Sequence, residues 1–233
     1  MSAEITDHDL SRHQRWIVGA PDGERQERQN EIFHDLSLLK ANLIGARFSH
    51  CIFYRAAFRE SELNGAIFDS CKFENCTFED CVLQDSNFIR AVFVHCTFTN
   101  GELQSCTFSE CTGPDSIFAS SSLTKAAFYK CQLRASVFER AKLKRTNFSG
   151  CDLRDCVFDD ALAERTDFSD SDLRGASIAR VQISHTYFTR CGLAGIRGKP
   201  KNPESAVITG ADCSEQFDGS ALVAADRVIA SGR

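Results

Sequence analysis

The chain has 233 residues, 42% apolar and 25% charged, with 19 Phe and 12 Cys beside 1 Met, 1 Trp, 3 Tyr and 4 Pro. That balance supplies a core and excludes wholesale disorder, and no apolar run approaches the roughly 18 residues of a membrane span. A formal charge of −5 argues against general nucleic-acid binding, which needs a basic footprint.

In chain order, residues 1–32 read as an N-terminal helix and cap. A helix is expected over residues 5–17, with Thr6 as N-cap, Asp9 as the capping-box acid, Ile5 and Leu10 at staple spacing, and Trp16 and Ile17 as the apolar anchor. The acidic start has no basic segment followed by an apolar one, so the protein is read as cytoplasmic and its cysteines as thiols.

From Phe33 to Leu193 a period of five runs without a slip, and residues 33–195 are read as one repeat domain. Of its 33 phase positions, 31 are Phe, Leu or Ile, and only Gly113 and Ala163 depart. Two residues before each, from Ala41 to Cys191, the side chain is small, and eleven of the twelve cysteines fall there. Neither a helix of 3.6 residues per turn nor a two-residue strand alternation yields this lattice, so the chain must turn a corner every five residues. Like residues recur every twenty. Leu63, Leu83 and Leu103 share one column, and Phe48, Phe68, Phe88, Phe108, Phe128, Phe148 and Phe168 share another. Four pentapeptides therefore make one coil of an all-β, four-sided parallel solenoid with these columns inside. Strand spacing of about 4.8 Å makes roughly eight coils a rod about 38 Å long.

Stretches such as ARFSH-CIFYR-AAFRE and CDLRD-CVFDD resemble the pentapeptide-repeat family, over about 160 residues. The resemblance implies a right-handed quadrilateral β-helix. It implies no single activity, because function on such a scaffold resides in surfaces.

Residues 196–233 read as a linker and a short helix. Lys199-Pro-Lys-Asn-Pro203 breaks the lattice, and Ser220 caps a helix running to Ala230 with Leu222, Ala225 and Ile229 on one face. Both flanks would cover the solenoid's open edges. Resemblance to quinolone-resistance-type members implies that the C-terminal helix also forms a homodimer interface.

Six cysteines, Cys51, Cys71, Cys111, Cys131, Cys151 and Cys191, share one column. With no C-x-x-C pair and no histidine at ligand spacing, they are read as small core residues; no metal or cofactor is expected. Histidines 8, 13, 34, 50, 95 and 185 are scattered, and no nucleophile, base and acid converge, so the chain is read as non-enzymatic. Asp152 and Asp172 stack one coil apart, with Arg134, Arg154 and Arg174 interleaved as a solvated ion-pair lattice.

Charge is banded along the rod. Residues 60–115 carry ten acids against Lys72 and Arg90, residues 116–150 seven bases against Glu139, residues 151–172 a net −6, and residues 173–201 six bases and no acid. An outward β-branched stripe, Thr77, Thr97, Ile117, Val137 and Val157, borders the basic band. A protein-binding scaffold is therefore expected, with Glu74, Glu79, Asp80, Ile117, Val137 and Val157 as the candidate surface. The family resemblance adds an alternative, a duplex-DNA mimic that modulates or protects DNA gyrase or a related type II topoisomerase. The acids, however, spread over all four sides, and the loops that protrude from the quinolone-resistance-type proteins have no counterpart. Gly113-Pro114 predicts a bend or small bulge halfway along the rod.

Overall fold

The computed structural model describes residues 2–213. After one helix, α1 (Asp7–Ile17), the chain winds into a parallel β-solenoid of about nine turns. Its four sides are numbered here by their inward columns: face 1 from Phe33, face 2 from Leu38, face 3 from Leu43 and face 4 from Phe48. Face 4 holds a six-stranded parallel sheet from Glu27–Gln29 to Ala127–Tyr129, and face 1 a four-stranded one from Ile32–His34 to Val92–Val94. Faces 2 and 3 are joined largely by single parallel bridges, such as Thr97↔Ile117 and Ser122↔Lys142. The register is +20 from strand to strand.

The corners explain the period of five. Each residue two places after an inward one, from Asn30 to Gly195, has φ in the left-handed region, between 50° and 62° where it is not glycine. Such a residue costs up to about 1–2 kcal/mol, least for Asn, Asp and Gly. The cost is offset because its N–H donates to a carbonyl of the next coil, as Asp35 does to Tyr54 (2.9 Å) and Ala135 to Arg154 (2.8 Å). No Val, Ile, Thr or Pro occupies any of these positions.

Phe48, Phe68, Phe88, Phe108, Phe128, Phe148 and Phe168 form a nearly parallel ladder on face 4, with successive ring centroids 4.6 to 5.3 Å apart. Rings from opposite faces meet edge to face across the interior, as Phe88 does Phe98 at 6.0 Å and 88°. Leu63, Leu83 and Leu103 fill face 3 and are fully buried. Most of the small inward residues that carry a donor bond the carbonyl of the inward residue 23 positions earlier. Cys106 donates to Leu83 (2.8 Å), Ser86 to Leu63 (2.6 Å) and Thr166 to Leu143 (2.6 Å). The slot thus accepts Ala or any small side chain with a donor, which is why Cys, Ser and Thr alternate there. All the described cysteines are unpaired thiols.

The stacking extends beyond 33–195. It begins at Glu27, paired with Arg47, and reaches Asp212, bridged to Gly192. At the proline-rich segment the lattice runs one residue short, Gln182 bridging Lys201, and the 3-10 turn Pro203–Ser205 restores the count before Ala206 pairs with Thr186. The break is a compensated bulge, and the coil resumes after it.

Gly113-Pro114 produces no bulge, contrary to expectation. Thr112 bridges both Val92 and Gln132, and Gly113 N–H donates to Gln132 (2.8 Å). Pro114 occupies the pentapeptide position whose N–H makes no bond to the next coil, and it precedes Asp115 at φ 58°, the arrangement of a type II turn. The local cost falls on Ser116, whose buried hydroxyl has no partner.

The N-terminal segment lies against the first coil. Thr6 and Asp9 form the capping box, and Ala3 bridges Phe33. Trp16 lies over Gly45, its ring 3.3 Å from where a Cβ would project, and the Arg25 guanidinium sits 4.3 Å from the Trp16 ring centre. His13, on the inner side of α1, is fully buried, its Nδ1 accepting from Gln26 N–H (2.9 Å).

Candidate interaction surface

Three residues of each pentapeptide face outward, so the surface is itself a lattice of columns. On face 2 the leading outward column reads Ser37, Ala57, Thr77, Thr97, Ile117, Val137, Val157 and Ser177, bridged in register. Ile117 is 36% exposed, and Val137 and Val157 are half-buried by their own neighbours. Stacked β-branched side chains suit the extended backbone and leave a continuous apolar ridge. Glu79 and Asp80 share this face two coils before Ile117. Glu79 pairs with Arg59 at 3.6 Å, while Asp80 is an exposed corner at φ 54°.

Glu74 lies on face 1 instead, where it pairs with Lys72 at 2.8 Å. That hydrogen bond raises the Lys72 pKa. Next to it, His34 and Tyr54 stack outward at 4.9 Å and the Lys72 ammonium sits 5.6 Å from the Tyr54 ring centre. Sequence reasoning passed over this aromatic pair, although positions 34, 54 and 74 form one outward column at the period of twenty.

Farther along face 1, Arg154 is clamped between Asp152 (2.6 Å) and Asp172 (3.6 Å), and Arg174 holds Asp172 at 2.5 Å. Burial works to raise the pKa of Asp152, but the hydrogen bonds and charge of Arg154 outweigh it and hold the carboxyl below its usual range. Arg134, which pairs with Asp155 (3.0 Å), joins Asp152 and Arg154 in edging a shallow depression of about 210 Å³ beside Thr112, Pro114 and Gln132. The carboxylates are committed to guanidinium partners, which is the chemistry of a rigid ionic lattice.

The acids of 60–115 lie on every face: Glu74 and Asp115 on face 1, Glu60, Glu79 and Asp80 on face 2, Glu62, Asp85 and Glu102 on face 3, Asp69 and Glu110 on face 4. They form no pair of continuous rows. Among the described residues no three His, Cys, Asp or Glu side chains converge as a metal site, and no helix is long and apolar enough to cross a membrane. Leu222, Ala225 and Ile229, the expected dimer helix, lie outside the described residues.

Comparison with solved structures finds the same architecture. QnrB1, described as a plasmid-mediated fluoroquinolone resistance protein, aligns with a TM-score of 0.51 and 16% identity, covering 82% of this chain and 93% of that one. A pentapeptide repeat protein from the Arabidopsis thaliana thylakoid lumen aligns at 0.43 and 21% identity, over 46% and 78% of the two chains. HetL, from the cyanobacterium Nostoc, aligns at 0.37 and 16%, over 95% and 99%. Comparison with curated protein sequences finds no match. The family described as "pentapeptide repeat region" matches residues 31–108 and 111–188. With the five-residue corners and four inward columns, this match shows that the chain belongs to the pentapeptide repeat family.

Proposed function

We propose that this chain is a non-catalytic cytoplasmic scaffold that binds another protein through its rigid rod surface, with the face 2 ridge as the contact. The observation that carries this reading is the solvent-facing ladder Ile117, Val137 and Val157, in register, with Glu79 and Asp80 on the same face two coils before it. A flat apolar strip on a backbone already fixed by inter-coil bonds offers a partner contact area at little ordering cost. Glu74, turned onto face 1, would belong to the rim. The unpaired thiols suit a reducing compartment.

The test compares proteins retained by the immobilised parent with those retained by Ile117→Glu/Val137→Glu, both folded by circular dichroism. Loss of a specific partner from the variant is expected. Identical sets from both would sink the assignment.

A second reading, a DNA mimic acting on gyrase or a related type II topoisomerase, draws on the net negative charge of residues 60–115 and on what QnrB1 is described to do. The spread of the acids over four faces favours the first reading. Gyrase supercoiling with and without a fluoroquinolone separates them, and no effect at micromolar protein is expected.

A further inference from the structure

Face 3 differs from the other faces in how its charge is divided. Between Glu62 and Ser105 its outward charged residues are Glu62, Asp85 and Glu102, with no base. Between Ser122 and Arg165 they are Lys125, Lys142, Lys144, Arg145 and Arg165 with Glu164 alone. Bridges Glu62↔Val82, Val82↔Glu102, Glu102↔Ser122 and Ser122↔Lys142 carry one column through both halves in register. Lys125, Arg145 and Arg165 stack in the corner column, so like charges follow one another at about 4.8 Å.

Several corner stacks elsewhere on the rod alternate in sign, as Asp35 with Arg55, Asp160 with Arg180 and Asp170 with Arg190 do. On face 3 only Lys144 has an acid, Glu164 at 2.8 Å. Glu62, Asp85, Glu102, Lys125, Lys142, Arg145 and Arg165 form no ion pair among the described residues, although all are exposed. At the boundary the side-chain carbonyl of Gln104 is shielded from solvent and has no donor.

We propose that face 3 pairs with face 3 of a second copy of this chain, the two rods antiparallel about a dyad at the Leu103–Leu123 seam. The geometry follows from two-fold symmetry. When antiparallel copies meet face to face, each outward column opposes itself in reversed order. The corner column then sets Asp85 against Arg145 and Ser105 against Lys125. The leading column sets Lys142 against Val82, between Glu62 and Glu102, each one coil away. Every contact occurs twice, and the acidic half of one copy covers the basic half of the other. A parallel pairing would place coil against like coil and bases against bases. The dimer is closed, and it leaves the face 2 ridge open for a different partner.

Sedimentation velocity of the full chain tests this. A dimer mass at low ionic strength, falling to the monomer mass at high salt, is expected. Lys142→Glu/Arg145→Glu and, separately, Glu62→Lys/Asp85→Lys should each be monomeric at low salt, and mixing the two variants should restore the dimer. Because all four positions are exposed and outward, circular dichroism should be unchanged. A parent that is monomeric at low salt overturns the proposal, as does a dimer that survives Lys142→Glu/Arg145→Glu. So does a monomeric parent that binds a DNA duplex and loses it in that variant, which would give the basic half to a polyanion.

Discussion

Phe148 shows what a single inward position contributes. Its ring stacks on Phe128 at 4.8 Å and Phe168 at 5.3 Å and meets Phe138 and Phe158 edge on, with no exposure. Phe148→Ala should cost about 3–5 kcal/mol, read from the urea midpoint. Phe148→Asp should prevent folding or cause aggregation, because it buries an unpaired charge in an aromatic ladder. An Asp variant that melts like the parent would contradict the inward placement. At the corners the sign reverses. Ala135 at φ 58° carries a Cβ where none is favoured, so Ala135→Gly should raise stability by a few tenths to about 1 kcal/mol, and Ala135→Val should lower it by more. The inward residues were legible in sequence because sterics set them: one large and one small side chain per pentapeptide. The left-handed corner was legible too, in the absence of β-branched residues at every fifth position, but that signal lies in what is missing.

Among the elements, the N-terminal cap carries a titratable group. Burial on the inner side of α1 holds the His13 pKa below its ordinary 6.5, so the folded cap prefers neutral imidazole. The stability this gives is present above pH 6.5 and is lost as the pH falls through the lowered value, where the unfolded chain takes up a proton more readily. Protection factors of Gln26 and of α1, corrected for the intrinsic exchange rate at each pH, should therefore fall on acidification while those of the central coils hold. His13→Gln should flatten that pH response, and an unchanged response would remove His13 from the cap's energetics. The capping box of Thr6 and Asp9 was readable from spacing, whereas the burial of His13 was not, because it depends on how the helix lies across the first coil. Gly113-Pro114 misled for a related reason. Register in this fold is held by backbone bonds to adjacent coils, and around the proline Thr112, Gly113 and Asp115 all keep theirs.

For the whole molecule, inter-coil bonds and continuous columns make each coil depend on its neighbours, so stability is approximately a sum along the rod. The exposed ion pairs between coils, such as Arg55 with Asp35 and Arg190 with Asp170, add little each. Composition and net charge could not reveal how signs are sorted among faces. That required the assignment of each outward residue to a column, which the period of twenty supplies once the corners are known.

The five-residue corner has a further consequence. Any pentapeptide satisfies the inward lattice on any face, whereas face identity is only a matter of counting. Deleting one pentapeptide, such as residues 106–110, should leave a folded solenoid, yet turn everything downstream by a quarter circle relative to everything upstream. Ile117 would then leave the line of Thr77 and Thr97, and Lys142 that of Glu62 and Glu102. Deleting a full twenty would shorten the rod and restore the alignment. Circular dichroism and sedimentation of the two deletions, side by side, would show the core tolerating both while the surface arrangement survives only the second. The molecule works as a combination dial whose core holds at every setting and whose surfaces line up at only one.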